Sequence, residues 1–148
     1  MITGSNSGAL KDVEVIRIND EESSSSTCTL PTYPLSVSYA SGVILNEALV
    51  VCGGNNGANK YFKWQEGKGW SAMPSMSANR YGHAMVSIGN TMYAVGGVWF
   101  NTAESYKDGS WSNMQNLPFR SLGYSCLVQI DAKTIMTIGG YDGYVVSE

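Results

Sequence analysis

Three times in this chain an apolar, strand-like run ends in two consecutive glycines: Gly53-Gly54 after "ALVVC", Gly96-Gly97 after "TMYAV" and Gly139-Gly140 after "TIMTI". Both intervals are 43 residues. Self-similarity at a fixed period of about 20 to 50 residues marks a repeat architecture. The repeat extends beyond the glycines. Trp64 and Trp70 follow the first doublet, in "FKWQEGKGWSAMPSM", and Tyr106 and Trp111 follow the second, in "SYKDGSWSNMQNL". From the second aromatic onward the two copies align without a gap, Ser71, Met73, Met76 and Gly82 falling where Ser112, Met114, Leu117 and Gly123 fall.

Each unit divides into four short strands. "HAMVSI" and "TMYAV" flank a Gly89-Asn90 turn, and "TAESY" and "WSNM" flank Asp108-Gly109, both of them hairpin signals. A four-stranded antiparallel sheet cannot bury both faces by itself, so successive units must stack face to face around an axis, which is an all-β propeller. The 17 glycines and only 14% charged residues agree, since they suit a folded chain of many tight turns rather than disorder or long helices.

The segments "RYGHAMVSIGNTMYAVGG" and "AESYKDGSWSNM" resemble the kelch repeat, in which a glycine doublet ends the second strand, a Tyr closes the third and a Trp opens the fourth. The resemblance implies a kelch-type β-propeller of about three four-stranded antiparallel blades, divided as the end of one blade at 1–36, blades at 37–78 and 79–119, and the start of another at 120–148. Three blades are fewer than a closed propeller uses. The chain is therefore expected to be a fragment of a six-bladed ring, or a half that a homodimer completes. In this reading Gly53, Gly54, Gly96, Gly97, Gly139 and Gly140 turn the chain at the blade tops, where a neighbour approaches closely. Trp70, Tyr106 and Trp111 pack between blades.

Nine basic against twelve acidic residues leave no cationic footprint, so nucleic acid is not an expected partner. No run approaches the roughly 18 apolar residues of a membrane span, and membrane insertion is not expected either. No nucleophile–base pair, metal-ligand cluster or phosphate-cradling motif is legible, so no catalytic residue, metal or cofactor is assigned. His83, the single histidine, reads as a structural imidazole, and Cys126 as a small buried hydrophobe.

Binding residues concentrate on loops carried by a rigid scaffold. In proteins of the resembled kind, the loops after the doublets share one face with the entries to the first strands, and that face receives a protein or peptide. Here it holds Asn55 and Asn56; Val98, Trp99, Phe100 and Asn101; Tyr141 and Asp142; Tyr33 and Ser36; Asn79, Arg80 and Tyr81; and Phe119, Arg120 and Ser121. Aromatic and arginine side chains dominate interface hot spots. Trp99, Phe100, Arg80 and Arg120 lead the candidates, with Tyr81, Asn55, Asn56 and Tyr141 beside them, and the same side chains could instead cover the channel.

The expected function is a non-enzymatic protein-interaction module, acting as a substrate receptor or scaffold within a larger protein. The alternatives are an extracellular structural or adhesion protein and a fragment resembling the galactose-oxidase propeller, whose copper site needs more histidines than His83. Similar extracellular kelch-like proteins carry cysteines where "CTLPTYP" and "VCGG" place Cys28 and Cys52. The compartment stays open between cytoplasmic and extracellular, the latter favoured by a Cys28–Cys52 disulfide.

Overall fold

The structure is a computed structural model and describes residues 11–13, 31–57, 59–118 and 122–141. Among these there is no helix. Four strands, β1 (Ser41–Leu45), β2 (Ala48–Cys52), β3 (Tyr61–Gln65) and β4 (Gly69–Met73), form one antiparallel sheet in sequential order. A second sheet repeats this with β5 (Ala84–Ile88), β6 (Thr91–Val95), β7 (Ala103–Lys107) and β8 (Ser110–Asn113). A two-stranded sheet follows, β9 (Cys126–Gln129) paired with β10 (Ile135–Ile138). The two hairpins read from Gly89-Asn90 and Asp108-Gly109 are both present, pairing Ile88 with Thr91 and Lys107 with Ser110.

The period-2 rule of strands explains how the sheets stack. Along β2, Val50 and Cys52 enter one core cluster with Met85, Met92 and Ala94 of the second sheet. Val51, pointing the other way, joins Tyr33 and Val37, with Leu49, Phe62 and Trp70 packed around them. Along β6 the same alternation recurs. Met92 and Ala94 face the first sheet, while Tyr93 and Val95 face a cluster with Leu122, Leu127 and Ile135 of the third unit. Each complete sheet is thus apolar on both faces, and β1 packs on β5 and β5 on β9 along the inner side of the stack. The two four-stranded sheets stack as the blades of a β-propeller do.

The outer strands are tied by an indole that reaches across to the preceding unit. Trp70 Nε1 donates to Pro31 O at 3.0 Å, and Trp111 Nε1 donates to Pro74 O at 3.0 Å. Trp70 sits opposite Trp64 and Trp111 opposite Tyr106, so the paired aromatics occupy one register in both blades. Trp111 also stacks on Tyr61 of the neighbouring blade, with centroids 4.7 Å apart. All three side chains, Trp70, Tyr106 and Trp111, are half-buried rather than enclosed, since each seals the rim of an inter-blade layer.

Hydrogen bonds shift the sequence alignment of the second and third units by one residue. Gly54 donates to Arg80 O and Gly97 donates to Leu122 O, both at 2.9 Å. Gly82 donates to Tyr39 O, and Tyr124 donates to Gly82 O. Leu122 therefore takes the place of Arg80, and Tyr124, not Gly123, takes that of Gly82. Met76 and Leu117 remain equivalent, donating to Asn59 O and Asn101 O. The additional residue lies between Leu117 and Leu122, where side-chain identity carries no register.

Cys126, expected inside, is exposed, because it lies on the face of β9 that also shows Val128, Met136 and Ile138 to solvent. Trp111→Ala removes both the indole bond to Pro74 and the contact with Tyr61. It is expected to lower stability by about 3 kcal/mol in chemical denaturation, the lower end for a truncated large aromatic because the ring is only half-buried. Trp111→Phe, which keeps the contact and loses the N–H, should lose roughly 1 kcal/mol.

Candidate interaction face

The doublets organise one end of the stack. At Gly53 the backbone has φ +65°, and a Cβ there would lie 2.5 Å from His83 Cε1 and collide with Arg80 O. Gly96, φ +68°, meets Leu122 in the same way, a Cβ falling 2.9 Å from Leu122 Cβ. Only glycine satisfies the left-handed angle and the approach together. The residue after each doublet then bonds the first-strand entry of its own unit: Asn55 N–H to Ser38 O, Val98 N–H to Tyr81 O, Tyr141 N–H to Gly123 O. Doublet loops and strand entries are one hydrogen-bonded surface.

Beneath it lies a buried ion pair. Arg80 and Glu104 are each 1% exposed, with Arg80 Nη2 3.1 Å from Glu104 Oε1. Arg80 Nε donates to the same carboxylate, Nη1 donates to Gly96 O and Thr102 O, and Nη2 also donates to Thr102 Oγ1 at 2.7 Å. Glu104 accepts further from Ser77 N–H and Oγ, each at 2.9 Å, and from Ala78 N–H. The Arg80 guanidinium lies under the Phe100 ring, 5.6 Å from its centroid. This network clamps the 77–80 entry against the 96–104 loop.

Arg80 is therefore removed from the expected contact residues: its charge is neutralised and its donors face inward. Phe100 is half-buried over it. Tyr33 belongs to the core, donating to Val51 O at 3.3 Å and packing edge-on to Trp70, and Val98 is buried as well. Tyr81 and Asn101 are half-buried, and Ser36, also half-buried, accepts Asn56 Nδ2 through its carbonyl. The exposed candidates are Asn55, Asn56, Asn79, Trp99 and Tyr141. Trp99 is 66% exposed and left-handed at φ +70°. Phe119, Arg120, Ser121, Asp142 and Cys28 lie outside the described residues, so the Cys28–Cys52 pairing does too.

His83 is buried, its Nε2 3.4 Å from Cys52 Sγ and its Nδ1 without a partner. Burial, reinforced by the Arg80 charge, holds its pKa down to about 3. Three residues that bear on the site were missed in the sequence: Glu104, and the exposed Tyr39 and Tyr124. Glu104 reads there as an ordinary strand carboxylate in "AESY", and Tyr39 and Tyr124 look like unremarkable residues ahead of a strand. The left-handed angles of Tyr39 and Tyr124 could not be read from side-chain type.

Among residues 34–40, 53–57, 77–83, 96–102, 122–125 and 139–141, Arg80 is the one formally charged side chain. With Arg80 sealed, the described residues of this end present neutral side chains of tyrosine, tryptophan, asparagine and serine beside the glycines.

Residues 79–118 match the family described as "Kelch motif". No curated protein sequence gives a significant match. Among solved structures 115 chains are similar, so the fold recurs widely and by itself names no activity. One, described as "Structure of YjhT", superposes with a TM-score of 0.62 at 18% identity over 70% of this chain. This chain spans 34% of the length of that one.

Breaking the buried pair leaves an uncompensated charge in the interior. Glu104→Gln and Arg80→Met are each expected to lower stability by about 3 to 5 kcal/mol, and a double-mutant cycle should show strong coupling between them. His83 contributes a pH dependence of known sign. Unfolded, it binds a proton near pH 6.5, whereas the folded imidazole stays neutral down to about 3. Its contribution is complete above the unfolded value and is lost as pH falls through that window, by up to roughly 1.4 kcal/mol per unit. The difference in stability between wild type and His83→Phe, measured by urea titration from pH 7 to pH 4, should reproduce that slope.

Proposed function

Since residues 79–118 match the kelch motif and the sheets stack as propeller blades, we propose that the chain is a non-enzymatic protein-interaction module that receives a protein or peptide on its doublet-loop face. The observation that carries the reading is the composition of that face once Arg80 is sealed. Tyr and Trp supply rigid contact area at small entropic cost, while Ser, Asn and Gly supply adaptable hydrogen bonding, the combination found in protein-binding loops such as antibody paratopes. A neutral face of this kind suits recognition by shape and stacking.

The scaffold supports the same reading. The Arg80–Glu104 clamp and the doublet bonds hold the loops on strands that are buried on both sides, so a partner meets a surface already ordered and little conformational entropy is lost on binding. The resulting module serves as a receptor or scaffold within a larger assembly. His83 supports no acid–base role, being buried, neutral over the physiological range and withdrawn from the exposed loops.

Trp99 is the residue to test. Immobilised wild-type chain and Trp99→Ala are to be compared by quantitative affinity capture, with Asp108→Asn at the opposite hairpin end as the control. Proteins retained by wild type and by the control should fall at least tenfold on Trp99→Ala, with the melting temperature unchanged, as for a hot-spot residue worth about 2 kcal/mol or more. Equal retention on all three columns would remove the loop face from the reading.

A further inference from the structure

Resting on that reading, we infer that the exposed pair Tyr39 and Tyr124, with Tyr81 and Tyr141 beside them, is a docking surface for a proline-rich segment in extended, polyproline conformation. Tyr39, Gly82 and Tyr124 hold one position in three successive units, linked by hydrogen bonds from Gly82 to Tyr39 O at 2.9 Å and from Tyr124 to Gly82 O at 2.6 Å. All three are left-handed, at φ 60°, 62° and 58°. Glycine takes that angle without penalty, whereas a tyrosine there is a genuine outlier, and such strain collects at binding sites. The middle position shows that the fold accepts glycine at this place. Two of the three places nevertheless carry a tyrosine, and both rings are half out in solvent, at 53% and 51% exposure.

Gly82 also lets the two rings meet. They lie across the middle blade with centroids 5.6 Å apart and planes at 69°, and a Cβ on Gly82 would fall 2.8 Å from Tyr124 Cε1. The rings stand as two walls of a corner. Tyr81 directly precedes Gly82, and Tyr141 exchanges backbone hydrogen bonds with Gly123, the neighbour of Tyr124; desolvation, then Tyr39, Tyr81 and Tyr141, raise the Tyr124 pKa.

The chemistry selects the occupant. Among the described loop residues there is no carboxylate to partner a basic peptide, and their one cation, Arg80, is buried and committed. Prolyl rings pack flat on aromatic faces. The carbonyls of a polyproline helix have no internal partners and accept from phenol hydroxyls, and the preformed helix loses little entropy on docking. Two proline carbonyls are already taken by aromatic donors within the chain. Trp70 and Trp111 donate to the carbonyls of Pro31 and Pro74, the first with Tyr33 edge-on to the indole at 5.0 Å.

Fluorescein-labelled decaproline, a Gly-Ser decapeptide and a lysine-rich decapeptide are to be titrated with the full chain by anisotropy, alongside the double variant Tyr39→Gly/Tyr124→Gly. Decaproline should bind saturably and the other two should not. The double variant should bind decaproline at least tenfold more weakly while melting at the same temperature or higher, because its backbone strain is relieved. Absence of saturation by decaproline, or undiminished binding to the variant, overturns the inference. A fall in melting temperature of the variant also overturns it, since the pair would then be a clasp between blades. Tyrosine-dependent binding of the lysine-rich peptide in place of decaproline would overturn the proline assignment and leave the interaction face of the proposed function standing.

Discussion

The approach of one blade's glycine doublet to the next blade's strand entry is the contact on which the rest of the structure depends. At Gly53 and Gly96 the backbone is left-handed and the neighbouring carbonyl occupies the volume a Cβ would need. The second glycine of each doublet donates across to that neighbour, at Arg80 O and Leu122 O. The spacing of the blades at this end is thereby set by backbone atoms alone. Side chains on either side can then differ, as Val37, Arg80 and Leu122 do at equivalent places, without altering the stack.

That freedom explains why a buried ion pair occurs in one blade and not in its neighbour. A paired arginine and glutamate in an interior gain little net stability over a well-packed apolar pair, so their presence here is not accounted for by energy alone. What the pair does is geometric. Glu104 lies on β7, Arg80 precedes β5, and their shared bonds to Ser77, Ala78, Gly96 and Thr102 bind a strand entry and a doublet loop to one strand. The loop that carries Trp99 and Phe100 is held from beneath. The guanidinium beneath it is fully saturated.

Much of the fold was legible along the chain because it is periodic. The doublets, the alternation along β2 and β6, and the turn glycines at Gly89 and Gly109 are local features whose meaning does not depend on distant residues. The loop face was legible only in outline. Arg80 and Trp99 look alike in sequence, as an arginine and a tryptophan in loops, yet one is enclosed by Glu104, 24 residues away, and the other stands in solvent. The partner that seals Arg80 lies on another strand, and loop composition carries no sign of it. Tyr39 and Tyr124 escaped attention for a related reason, since they are brought together by two hydrogen bonds through one intervening strand entry and by the absence of a side chain at Gly82.

By itself, then, the sequence determined the repeat, the strands and the places where a side chain is forbidden, because these follow from the pleat of a strand and from the steric needs of single residues. Only the tertiary structure decided which loop residues are available, which unit positions are truly equivalent, and where a charge is cancelled. Burial and ion pairing are set by what the neighbouring blade brings, and register between blades is set by hydrogen bonds from backbone to backbone. Those bonds carry no residue identity, so the one-residue offset between Leu117 and Leu122 became visible only when Gly97 was seen to donate to Leu122 and Tyr124 to Gly82.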